Sequence, residues 1–187
     1  MVLNKALKTL FLYNGIFVFA HGLMGPLYAL FLESIGQKLF AVSISWAVYL
    51  LSTTVCILFV AKYGDKVKNK GYLLVASFLL RAVAWTGFLF ANSLLTLILI
   101  QMLAGVCEGL GVPAFNVIFA EHLDKGGHIR EYSDWHIISN IIVAISTLLA
   151  GLIVSLFGFK ILFEIMITLS LICFFGTGLN VKHFEKR

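Results

Sequence analysis

Leu94-Leu-Thr-Leu-Ile-Leu-Ile-Gln101-Met-Leu-Ala-Gly105-Val-Cys-Glu108-Gly109-Leu-Gly-Val-Pro113-Ala114-Phe-Asn-Val-Ile-Phe-Ala120 holds a single formal charge, Glu108. Its apolar residues come as a block, without the 3.6 period of a surface helix or the alternation of a strand, which is how a helix bathed in lipid reads. Crossing about 30 Å of hydrocarbon takes roughly 20 residues at 1.5 Å each, so the block is long enough. Outward from it lie five more blocks, near 9–32, 39–61, 71–91, 135–157 and 159–181, each about 21–24 residues and equally able to cross. Composition agrees, with 60% hydrophobic residues, 12% charged, and a mean hydropathy of +0.99. The 14 Lys and Arg and 9 Asp and Glu of this 187-residue chain cannot clothe a soluble domain. The longest polar connection, 121–134, leaves no room for one, and open strands are barred from hydrocarbon. The expectation is an all-α membrane protein, one domain over 1–187, with six transmembrane helices (spans 1 to 6). Block 9–32 carries Asn14 and His21 and is too long for a secretory h-region of about 7–15 residues, so it reads as a retained helix.

The net charge of +5 reports topology and not a nucleic-acid partner. With the N-terminus inside, the inner side holds Lys5, Lys8, Lys62, Lys66, Lys68, Lys70, Lys125, Arg130, Lys182, Lys186 and Arg187, and the outer side only Lys38 and Lys160. Eleven against two is a strong positive-inside bias. It predicts a multi-pass protein of the inner or plasma membrane with both termini cytoplasmic, its surroundings membrane lipid. The three cysteines, Cys56, Cys107 and Cys173, fall inside apolar blocks with neither metal nor disulfide spacing. No metal and no cofactor are expected.

The only two prolines sit in matching places. Gly22-Leu-Met-Gly-Pro26 in span 1 and Gly109-Leu-Gly-Val-Pro113 in span 4 both read G-L-x-x-P, and Glu33 and Glu121 follow at the ends of the two runs. Spans 1–3 and 4–6 start on opposite sides, the arrangement of an inverted 3+3 repeat. A proline within a helix frees a carbonyl and bends it. Gly22, Pro26, Gly109 and Pro113 are therefore candidate kinks, serving either packing alone or a mobile, cavity-lining pair of helices.

Two motifs resemble the major facilitator superfamily. The loop Ala61-Lys-Tyr-Gly64-Asp65-Lys66-Val-Lys68-Asn-Lys70 is similar to its G-x-x-x-D-R/K-x-G-x-R/K signature, with Ala61 and Lys68 in the two glycine places. Within the opening stretch, Leu103, Gly105, Gly109, Pro113 and Ala114 match the family's R-x-L-x-G-x-x-x-G-x-x-x-P-A pattern in register, while Gln101 stands where that pattern has arginine. The departure withholds any proton-relay role from Gln101, and Ala150-Gly151 lacks the Gly-Pro pair of the family's exporters. The resemblance implies half of a twelve-helix transporter, with Gly64, Asp65, Lys66 and Lys70 as a gating loop.

Polar residues inside the blocks nominate a pathway, because buried ionisable groups are costly unless paired or wetted. Asn14, His21 and Tyr28 are seven apart, as are Gln101 and Glu108, so each set shares a helix face. Arg81 in span 3 and Glu108 in span 4 lie within roughly 6 Å of the same depth, counted at 1.5 Å per residue from the Asn92-Ser93 turn. They read either as a buried strut or as a substrate or proton group with its counter-ion. His21, an imidazole that titrates near 6.5 when unperturbed, suits proton coupling or a simple backbone hydrogen bond.

The leading reading is a secondary transporter of a small solute, working by alternating access as a parallel homodimer joined through spans 2 and 5. Alone, the half would turn its polar stripe toward lipid. The alternative is a split or truncated transporter that needs a different partner chain. An intramembrane enzyme fits less well, since there is no G-x-S-x-G or H-E-x-x-H motif, and the polar stripe disfavours a non-transporting scaffold.

Overall fold

The protein is described by a computed structural model covering residues 5–123 and 128–184. Lys125, Lys186 and Arg187 of the inner-side set lie outside the described residues. Every regular element among the described residues is helical: α1 (Lys5–Gly22), α2 (Tyr28–Ser34), α3 (Leu39–Tyr63), α4 (Gly71–Phe88), α5 (Leu94–Glu121) and α6 (His128–Leu179), with short 3₁₀ turns at Gly25–Leu27, Gly64–Lys66 and Val181–Phe184. Counting Lys5–Ser34 as one, five helical spans are long and apolar enough to cross a membrane.

The last of these has 52 residues, about 78 Å at 1.5 Å each and more than twice the hydrocarbon thickness. Gly158 interrupts it, with φ 78° and ψ 176° inside the helical run. That conformation is open essentially to glycine alone. The residues before and after Gly158 form two arms, and the sequence boundary between blocks 135–157 and 159–181 falls on this glycine.

Local chemistry ends the other helices. After α2, Gly36 takes φ 75°, the Gly36 N–H donates to Glu33 O (2.9 Å) and the Gln37 N–H to Leu32 O (2.9 Å). These paired bonds satisfy the last carbonyls of the helix. Before α5, Ser93 and Thr96 form a reciprocal capping box, the Thr96 N–H donating to Ser93 Oγ and the Ser93 N–H to Thr96 Oγ1. Pro26 sits in the 3₁₀ turn that separates α1 from α2, whereas Pro113 lies within an unbroken α5.

Packing forms a row. α3 lies on α5, α5 on α4, α4 on α6 and α6 on α1. The second arm of α6 joins α4 and α1, since Ser170 Oγ donates to Phe78 O (2.7 Å) and Cys173 Sγ contacts Tyr13 O (3.1 Å). The first arm meets α1 where Gly15 faces Ile142 and Gly22 faces Ser146. α3 ends the row, and the first arm reaches back to α5 through Trp135 on Phe115 and Tyr132 on Phe119. Of the 25 residues of α3 only Ala41, Ser45 and Cys56 are buried, and the first arm exposes Ile137, Ile141, Ile145, Leu148, Leu152 and Leu156.

The beginning of α1, the 64–70 loop and the Val181–Phe184 turn share one end of the bundle. Asn69 Nδ2 donates to Val181 O (2.9 Å), and Thr9 Oγ1 lies 3.5 Å from His183 Nδ1. At the opposite end Phe88 stacks on Phe163 with centroids 5.3 Å apart, and Phe31 stands edge-on to both. Offset and edge-on ring contacts of this kind pack without voids.

Candidate functional site

A cleft of about 350 Å³ lies between α1, α4, α5 and the first arm of α6, in the half of the bundle nearer the termini. α4 makes its floor: Leu74, Ser77, Phe78 and Arg81 all line it and all are buried. The walls are open. His21 of α1, Val112 and Asn116 of α5, and His136 and Val143 of the first arm are exposed lining residues. These exposed residues form the open side of the cleft, and the Phe115 and Phe119 rings of α5 pack on Trp135 and Tyr132 of the first arm.

Arg81 occupies the floor with only 3% of its side chain exposed. Its Nη2 donates to Glu108 Oε2 at 2.5 Å, and its guanidinium lies over the Phe17 ring, 5.8 Å from the centroid. Both contacts compensate the burial of a cation. Tyr49 of α3 is within electrostatic reach of the pair. Glu108 is 28% exposed, and both members of the pair line the cleft.

Close approach of α3 and α5 places Glu108. A Cβ on Gly105 would meet Tyr49 O, and one on Gly109 would meet Cys56 Cβ at 2.5 Å and Thr53 O at 3.0 Å. Glycines at this spacing let two membrane helices touch backbone to backbone. The two glycines of the sequence pattern are thus the packing face of α5 toward α3, and Glu108 projects from another face.

The cleft gathers Asn14, His21, Arg81 and Glu108 of the predicted pathway. Tyr28 and Gln101 are buried elsewhere, the Tyr28 hydroxyl donating to Ser45 Oγ at 2.7 Å. Seven-residue spacing assumes an unbroken helix, and the interruption between Gly22 and Tyr28 removes Tyr28 from the face of Asn14 and His21. Ser77, Asn116, Trp135, His136 and Ser139 also line the cleft and were not among the predicted residues. Asn116, eight positions after Glu108, carried a helical-spacing signal. His136 and Ser139 carried none, because their approach to α1 is made only by tertiary packing.

In the 64–70 loop, Lys70 Nζ donates to Gly64 O (2.9 Å) and Val67 O (2.8 Å) and lies 4.0 Å from the Asp65 carboxylate. Lys66 sits over the Tyr63 ring. Asp65 itself is fully exposed, so its pairing with the neighbouring lysines is looser than the sequence suggests: Lys70 spends its hydrogen bonds on backbone carbonyls. Gly64, Asp65, Lys70 and Pro113 line a second hollow of about 190 Å³, which puts the loop against the proline of α5.

No curated protein is detectably similar to the chain. The family model of the Major Facilitator Superfamily matches residues 10–184, from the first turns of α1 through the turn after α6. With helical spans throughout and an ion pair beneath a cleft within them, a match of this extent is decisive: the chain belongs to the Major Facilitator Superfamily of secondary membrane transporters.

Proposed function

We propose that the protein moves a small solute by alternating access, with proton coupling, as a parallel homodimer of six-crossing halves. Both termini face the cytoplasm, and the membrane is the inner or plasma membrane. The observation that carries this reading is the exposure of a cleft lined by His21, His136, Asn116 and Glu108. In a single copy that opening meets lipid, where ionisable groups are expensive. A second copy related by an axis along the membrane normal closes it and turns two clefts into one cavity.

Several features support the arrangement. The break at Gly158 supports a sixth crossing, and the approach of Thr9 to His183 supports an even number. α3 and the first arm, the sequence's spans 2 and 5, carry much of the exposed apolar surface. Asp65 is free to cap a helix of the second copy. Two protonatable groups, His21 and Glu108, share the cleft and support the coupling.

Reconstitution of the purified protein tests the proposal. Proteoliposomes should take up solute under an imposed pH gradient, and cysteines placed in α3 should crosslink to the first α6 arm of another copy. An impermeant thiol reagent should label Lys66→Cys from one side of the membrane and Lys38→Cys from the other. A monodisperse monomer without transport would sink the homodimer, and rescue by a second six-helix chain would establish the heteromeric alternative.

Asp65→Asn should lower transport while leaving the melting temperature in detergent unchanged, because the side chain is fully exposed and its ion pair among the described residues is a loose one with Lys70, at 4.0 Å. Transport at the unsubstituted rate would return the loop to a plain basic turn.

A further inference from the structure

We propose that the solute is a small organic carboxylate that takes the place of Glu108 on Arg81 and enters with one proton; the proposal rests on the transport reading of the cleft. The two members of the buried pair differ in what they can give up. A guanidinium keeps its charge in proteins, whereas a carboxylate is neutralised by a single proton. Arg81 is 3% exposed and therefore needs an anion beside it at every stage. The anion is the exchangeable partner.

Three observations make Arg81 the place of exchange. Arg81 and Glu108 both line the cleft beside Phe17, so a solute there reaches the pair. Glu108 holds the guanidinium through one oxygen, Oε2, which accepts from Nη2. Nε, on the same edge of the guanidinium as Nη2, has no hydrogen-bond partner among the described residues. Such an edge can donate to both oxygens of one carboxylate, and here it is half used. Glu108 is 28% exposed, so on displacement it can collect a proton from water in the cleft.

Formal charge balances throughout. The free pair sums to zero; afterwards Arg81 holds the solute's carboxylate and Glu108 is a neutral acid, and the sum is zero again. No covalent bond of the solute changes. An ammonium solute has no such exchange, because it adds a positive charge that Arg81 cannot offset by losing its own. Asn14 and Asn116 can donate amide N–H groups to the anion, and a space of about 350 Å³ beside Phe17 and Val143 suits one ring or a short chain. The titratable and charged groups around Glu108 are His21 of α1, Tyr49 and Cys56 of α3, Arg81 of α4, His136 of the first α6 arm and Cys107 of α5 itself. Of these only the two imidazoles ordinarily titrate near neutral pH, and variants at Glu108 separate their protons from its own.

Hydrocinnamate, its amide and phenethylammonium present similar bodies to the protein in phosphatidylcholine nanodiscs, with binding followed by calorimetry in two buffers of different ionisation enthalpy. Hydrocinnamate should bind about tenfold tighter than the amide, as one charge-assisted contact provides, with phenethylammonium weakest. About one proton should be taken up for each carboxylate bound. Glu108→Gln leaves Arg81 without its anion, so hydrocinnamate should bind that variant more tightly than the parent, without proton uptake, and raise its melting temperature. Because the single variant strands Arg81, the Glu108→Gln/Arg81→Met double variant is measured beside it and should bind hydrocinnamate no better than the amide. Equal or tighter binding of the amide or ammonium, no binding of any probe, or binding to the parent without proton uptake overturns the proposal. So does a carboxylate preference, or proton uptake, that survives in the folded double variant. Carboxylate binding with proton uptake but no flux in proteoliposomes upholds the exchange at Arg81 and counts against transport. Flux of another solute class without carboxylate binding overturns the exchange and leaves the transport reading standing.

Discussion

Glu108→Gln alone is expected to lower the unfolding free energy by about 3 kcal/mol, the lower part of the range for breaking a buried ion pair. The low end applies because Glu108 reaches the cleft, whereas Arg81 is almost wholly buried. Removing the carboxylate leaves the guanidinium with the Phe17 face and the Tyr49 hydroxyl, and with an Nε that has no hydrogen-bond partner among the described residues. An uncompensated buried cation is more costly than no cation. The double variant Glu108→Gln/Arg81→Met should therefore recover most of the loss, since a methionine fills a similar space without a charge. Reversible unfolding of the purified protein in mixed detergent gives the comparison. Single and double variants of equal stability would show that the two residues do not depend on each other.

Gly105→Ala should be nearly as damaging for a different reason. The added methyl would meet Tyr49 O, Ser52 Cβ at 2.7 Å and Thr53 N at 2.9 Å, and two of these three atoms are backbone. A side chain can turn aside, but a helix backbone can yield only by moving α3 as a body. Overpacking typically costs about 1–3 kcal/mol, and a backbone obstacle places this site at the upper end. Gly151→Ala is the comparison, because nothing lies within 4 Å of its Cβ position. It should stay within about 1 kcal/mol of the parent, the scale of helix propensity. If Gly105→Ala unfolds with the parent, α3 and α5 are not locked by this contact.

The same seam shows how the sequence could be read without yielding its geometry. Gly105, Gly109 and Pro113 stand out on the page because their spacing matches a family pattern. That spacing fixes one face of α5 but not what the face touches. The structure assigns it to α3, against Tyr49, Thr53 and Cys56, and so leaves Glu108 for the cleft. The approach of Arg81 to Glu108 was legible because a tight turn at Asn92-Ser93 ties their depths together, and counting from a fixed point works when both helices are regular. Tyr28 was misplaced by the same arithmetic, since the 3₁₀ turn at Gly25–Leu27 breaks the count between His21 and Tyr28.

The sequence by itself determined the helical membrane class, the approximate blocks and the family. Each of these depends on local properties: the length of an apolar run, or a motif read along one stretch of chain. The tertiary structure decided which helices are neighbours, and with them the site. The row α3–α5–α4–α6–α1, the buried floor of α4 and the arrival of His136 and Ser139 opposite Asn116 come from side-chain packing between segments far apart in the chain. Lipid-facing helices are apolar on nearly every side, so hydrophobic periodicity carries little information about which face meets protein. Only contact between the helices resolves it.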